Sequence, residues 1–365
     1  MFADTILGMG RTSIFESAID PEIDDVTPDT VEECTGDPFE FLTGVYYESE
    51  LDMMHINQAV MVCEYTYLKE NGTEMVYEAN VVSTMFSKIG EKIKNAWKKI
   101  CAFFKSIFNW LANTVRNDAA FVKKNESKIK DIDSVDLKEF KGYTYQISGK
   151  AGASESVSDS AKKMLQTLKE KATKTSAAGL SGYVSKDTKV EDYLNSLRGE
   201  ILGAGGSVSA DQFATKLSET FRGKETTNAV FSNSDLTDML EVIKSTKKTQ
   251  SSLKLVYTAV KASIDALLKT AKAAEKDAAV QDEKKGESDK AKNYHAQATV
   301  LNSLTGMTTI INNKACKAIT AHNRQCRAII GKAIAKAASG KKDDDKKATG
   351  ESASFVSNVF ESFLG

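Results

Sequence analysis

Three histidines, His55, His295 and His322, are all that a chain of 365 residues offers for imidazole chemistry. His322 and Cys326 stand four residues apart, a spacing that would put both on one face of a helix, where they could share a metal ion. No second His/Cys pair accompanies them at metal-site spacing, so the sequence favours a small buried thiol beside a hydrogen-bonded imidazole, and no metal ligand is assigned. Gly203 Ala204 Gly205 Gly206 has the glycine content of a phosphate-cradling loop but not the Lys-Ser/Thr that completes one. A helix C-cap and turn is the better reading. There is no nucleophile elbow, kinase signature or zincin pair. No catalytic residue, no cofactor and no small-molecule substrate is therefore predicted, and the chain is not expected to be an enzyme.

The chemistry that the sequence does suggest is done to the chain rather than by it. An aliphatic residue, an aromatic residue, Glu and a small residue follow one another three times, as Ile14 Phe15 Glu16 Ser17, Val76 Tyr77 Glu78 Ala79 and Val359 Phe360 Glu361 Ser362. All three fall where loops or tails are expected, and an extended backbone is what a protease binds. The expected cuts are Glu16/Ser17, Glu78/Ala79 and Glu361/Ser362. The middle one lies where the charge of the chain changes sign. Residues 1–80 carry 18 acidic and 2 basic side chains, a net of −16, whereas residues 81–365 carry 32 acidic and 47 basic, a net of +15. Scission after Glu78 would turn a nearly neutral chain into a strongly cationic one.

These features need elements to hold them. All three prolines, Pro21, Pro28 and Pro38, stand near the N-terminus, and proline is the residue most hostile to helix interiors. The rest predicts a mainly α fold: amphipathic helices ending in a long antiparallel helical hairpin, with at most a small β element near 140–150, where Tyr143 to Ile147 reads as a strand. The organisation expected is an acidic arm and helix (1–78), a basic, aromatic-rich amphipathic helix (79–120), a small helical region (121–230), the hairpin (231–338), and a solvated linker with an apolar tail (339–365). Helices are expected near 86–117, 154–178, 189–202, 208–222, 233–281 and 287–338. A capping box from Ser209 to Gln212 opens the fourth. On the basic helix, Ile89, Ile93, Trp97, Ile100, Phe104 and Ile107 share one face, while Lys88, Lys92, Lys94, Lys98, Lys99 and Lys105 fall mostly opposite. Those lysines, with Trp97 and Trp110, are the candidate contacts to DNA or to a membrane surface.

Five cysteines at irregular spacing and no basic region ahead of an apolar stretch argue against a disulfide scaffold and a secretory leader. No uninterrupted apolar run is long enough to span a bilayer.

The three short sites resemble those cut by prohead proteases in internal and core proteins of tailed bacteriophage heads, after a hydrophobic residue, any residue and Glu, ahead of a small residue. Phe86 to Ile100, and more weakly Leu197 to Gly203 leading into Ser209 to Phe213, resemble segments of virion structural proteins of large phages. The resemblance implies a virion protein of the head interior, made in the host cytoplasm, with other virion proteins and a prohead protease as partners. An acidic pro-segment would keep a basic body from non-specific DNA until it is cut away. The alternative is a membrane-active helical protein, pore-forming or ejected, working through the basic helix.

Overall fold

With no proline beyond Pro38, little interrupts the helices. The computed structural model describes Tyr46 and residues 79–140, 153–176, 190–221, 229–282 and 288–344. These form α1 (Ala79–Lys130), β1 (Ser134–Asp136), a single 3-10 turn (Lys138–Phe140), α2 (Ala153–Lys174), α3 (Val190–Leu202), α4 (Ala210–Thr220), β2 (Val230–Ser232), α5 (Asn233–Lys244), α6 (Thr246–Asp282) and α7 (Ser288–Asp344). The fold is mainly α, with one antiparallel ribbon in which Val135 pairs with Phe231.

The described residues fall into two compact units, and neither is a contiguous segment of the kind expected from composition. One draws on Met1–Ala112, Val157–Phe221 and Gln250–Lys317, the other on Asn113–Ser156, Arg222–Thr249 and Ala318–Gly365.

In the first unit, α6 and α7 form the expected antiparallel hairpin. Tyr294 donates its hydroxyl hydrogen to Asp277 at 2.8 Å, and the Ser263 and Thr308 hydroxyls meet at 3.0 Å, so stepping back along one helix moves forward along the other by the same number of residues. Every residue of α7 from Ala296 to Asn313 is buried. A helix covered on all sides should be apolar all round, yet this one carries Thr305, Thr308 and Thr309. Their hydroxyls donate to the carbonyls of Leu301, Leu304 and Thr305, one turn earlier, which removes most of the cost of burying them. The same hairpin finishes α2. Ala172 O, which accepts the Thr175 amide at 3.2 Å, also accepts Thr270 Oγ1 at 2.9 Å, and just beyond the helix Gln297 Nε2 donates to Thr175 O at 3.0 Å.

The helices α3 and α4 make a tight second hairpin. Gly203 takes φ +63, the left-handed conformation that ends a helix, and the Ala204 amide turns back to Gly199 O. Arg198 is fully buried, its guanidinium donating to Glu191 at 3.1 Å and Asn195 at 2.8 Å. Ser209 is the N-cap of α4 but its side chain accepts no capping bond, so the box expected from Ser209 and Gln212 does not form.

In the second unit the box is at Ser232 and Asp235, which opens α5. Asn233 Nδ2 donates to the carbonyls of Ile129 and Ile132, at and just beyond the C-terminus of α1, and so ties that end to β2. Phe140 and Phe231 meet edge to face over a core that includes Leu236, Met239 and Ile330.

Several boundaries differ from expectation. The helix expected near 86–117 runs from Ala79 to Lys130, because Asn125, polar but buried, takes a core position between Phe121 and Ile129 and masks the repeat. The helix expected from 233 to 281 is two, broken at Ser245, whose amide and hydroxyl both donate to Glu241 O and cap the first of them. The last helix continues to Asp344, into the expected linker. The ribbon joins 134–136 to 230–232, while the strand expected at 143–147 lies outside the described residues, as do the acidic segment apart from Tyr46 and the apolar tail.

Candidate functional site

The lysine-bearing helix α1 was expected to bury one face and keep the other wet. Its apolar stripe is buried as expected, with Phe86, Ile89, Ile93, Trp97, Ile100 and Phe104 all in the core. The enclosure goes further, because the consecutive residues Ile100, Cys101, Ala102, Phe103 and Phe104 are all buried. Five in a row exceed one helical turn of 3.6 residues, so at this point the helix is covered in every direction. The physical reason is plain in the sequence, since none of the five has a polar side chain that needs water apart from the weakly polar thiol.

Trp97 is therefore corrected from contact residue to core residue. It is 1% exposed and stacks on Tyr257 with ring centroids 5.7 Å apart, and Phe104 meets the same tyrosine edge to face at 4.9 Å. Trp110 belongs to α1, but its side chain lies outside the described residues. Among the lysines, Lys88 is exposed, whereas Lys92, Lys94, Lys98, Lys99 and Lys105 are half-buried. They flank the buried stripe in two rows rather than forming one opposite face: Lys88, Lys92 and Lys99 on one side, Lys94, Lys98 and Lys105 on the other. Half-burial of this kind is what long lysine stems laid along apolar surface produce.

Of the proposed cuts, Ala79 is the first residue of α1. Glu16, Ser17, Glu78, Glu361 and Ser362 lie outside the described residues.

The remaining ionisable groups of interest are held in uncharged form by burial. Cys101, Cys316 and Cys326 are buried thiols outside any disulfide, with the Cys101 and Cys326 thiols pushed up to about 12 by desolvation, the reverse of what a reactive thiolate needs. Among the described residues no group of three or more metal-capable side chains occurs. His322 packs with its Nδ1 3.4 Å from Ser154 Oγ, and burial lowers its pKa to about 4. Its Nε2 is buried without a hydrogen-bond partner, so a proton arriving there finds no acceptor. The sign follows. The unfolded chain takes up this proton near pH 6.5 and the folded chain only near 4, so the stability from neutral His322 is complete above 6.5 and is lost as pH falls toward 4. Between pH 7 and pH 5 the unfolding free energy should fall by about 2 kcal/mol more in the parent than in His322→Leu. Paired urea titrations at the two pH values read this directly, and equal losses would mean that the imidazole is solvated.

Two residues escaped sequence reasoning. Arg198 gave no signal, because a single Arg on a short helix reads as surface. Tyr46, in the acidic segment, is fully buried, and its hydroxyl donates to Ala210 O at 3.0 Å. Only a periodic pattern extending into the acidic helix could have marked it.

Among the described residues no helix is long and apolar enough to cross a membrane. Comparison of the chain with protein-family models, with characterised proteins and with solved structures finds no match to any of the three.

Proposed function

We propose that this chain is a structural protein of a bacteriophage virion, an internal head or core component made as a charge-balanced precursor and matured by cleavage after Glu78. The observation that carries the reading is the coincidence of a processing motif with the reversal of charge: −16 over residues 1–80 and +15 over the remainder. The prohead protease and other virion proteins are its partners, and the basic body associates with packaged DNA through phosphate contacts without reading sequence. Such binding needs only a density of lysines, and the six in the two rows flanking the buried stripe of α1 supply one. The chain does no catalysis in this reading.

The alternative, a membrane-active protein working through α1, asks more of the molecule. The residues that would enter the headgroup layer, Trp97 and its neighbours, are already spent in the core, and α1 would have to leave it.

The test is the intact mass of the protein taken from mature particles. A species beginning at Ala79, with or without the last residues after Glu361, is expected. A full-length chain in purified infectious particles would end the maturation reading.

A further inference from the structure

The acidic segment is not merely tethered by the peptide bond at Glu78. Tyr46, well upstream of that bond, is 0% exposed and belongs to the first unit. Its hydroxyl donates at 3.0 Å to the carbonyl of Ala210, the first residue of α4. A buried phenol needs such a partner, and a carbonyl has a second lone pair to offer beyond the one used in its helix. The tyrosine thus combines a fully desolvated ring with a directed hydrogen bond, which is the composition of an interface anchor. Charge adds a long-range attraction rather than a local one, since residues 1–80 are strongly negative and residues 81–365 taken together strongly positive, while α3 and α4 themselves carry five acidic and two basic side chains.

We propose that the start of α4 is a docking site for an acidic, tyrosine-bearing segment, that residues 1–78 of this chain are its occupant, and that they stay bound there after scission at Glu78. The inference takes the position of the cut from the processing reading but not the identity of any protease. Maturation then has two separable steps. Cutting frees the backbone, and release follows only when salt, or a polyanion competing for the basic body, outweighs the anchor and the charge attraction.

The experiment uses the full chain with a site-specific protease sequence inserted between Glu78 and Ala79, cut after purification and passed through a sizing column. At low salt the fragment 1–78 should co-elute with 79–365, and about 0.5 M salt should weaken its retention. Tyr46→Phe, which keeps the ring and so protects folding, should weaken retention about fivefold. Tyr46→Ala should weaken it about 100-fold or more. Immediate separation of the parent fragments at low salt would overturn the proposal, and so would retention unchanged in both variants, which would leave charge alone as the tether. The outcome is independent of natural processing: an uncut chain in virions removes the maturation reading and leaves the docking site standing, while prompt separation here does the opposite.

Discussion

Trp97→Ala should lower the unfolding free energy by about 4 kcal/mol, the cost of removing a large aromatic from a core that cannot collapse around the gap. The size follows from three observations. The indole is 1% exposed, it stacks on Tyr257 at 5.7 Å, and Tyr257 is also met by Phe104 at 4.9 Å, so one truncation strips a face from an aromatic cluster. Tyr257 is itself in the core, and burial raises its pKa, so a cavity beside it would admit water to a phenol now kept from titrating. Urea unfolding followed by far-ultraviolet circular dichroism measures the loss without relying on the deleted fluorophore. The same variant separates the two functional readings. If Trp97 were a surface contact, the substitution would leave the unfolding midpoint in place and reduce association with DNA or anionic vesicles. An unchanged midpoint would therefore return the residue to the list of contacts.

That distinction shows what the sequence could and could not convey. The three- and four-residue recurrence of Ile89, Ile93, Trp97, Ile100 and Phe104 is a property of one helix, and it correctly selects the buried face. Whether the opposite side meets water depends on which other helices arrive, and that is a property of the whole chain. Ile100 to Phe104 held the hint, because a stretch longer than a turn without a polar residue other than the thiol leaves no side to expose. In α7 the opposite difficulty arises. Thr305, Thr308, Thr309, Asn312 and Asn313 are polar and lie to one side of the helix, and all are buried. Threonine returns its hydroxyl to its own helix and so can enter a core at small cost, which a polarity pattern cannot register.

Local chemistry was legible only where it depended on local partners. Gly203 was marked as a helix stop, and it adopts φ +63. Ser209 sits at the N-cap as its sequence suggests, yet makes no capping bond, while Ser232 makes a complete box with Asp235, an aspartate where the usual box has glutamate or glutamine. The strands at 134–136 and 230–232 are three residues each, below the length at which alternation can be read, and they exist because the end of α1 and the start of α5 are held together by Asn233. Tyr46 belongs with these. Its importance lies in a partner 164 positions away, and no window along the chain contains both.

Gly199→Ala should be the most damaging substitution of its size, costing about 3 kcal/mol. A Cβ placed on Gly199 would lie 1.8 Å from the carbonyl oxygen of Gly206 and 3.0 Å from its carbon. Both atoms are backbone, so no side-chain rotation relieves the clash. The backbone itself is pinned: the Ala204 amide donates to Gly199 O at 2.9 Å, and the Val208 amide donates to Asn195 O at 2.9 Å, which together fix how closely the returning loop crosses α3. Any widening there also disturbs Arg198, the adjacent residue, whose buried guanidinium depends on Asn195 one turn back and Glu191 two turns back. A buried charge that loses a partner keeps its desolvation cost and forfeits the compensation. Gly205→Ala is the control. A Cβ at Gly205 would have nothing within 4 Å, and the residue lies in the same loop, so its unfolding midpoint should stay within about 0.5 kcal/mol of the parent. Parallel urea titrations of the two variants isolate the close approach, because both add the same methyl group and the helix-propensity gain of about 1 kcal/mol at Gly199 works against the expected loss rather than toward it. Equal midpoints would mean that the crossing of α3 by the loop is looser than 1.8 Å to a Cβ implies, and the tight hairpin, with the docking surface at the start of α4 that it positions, would have to be redrawn.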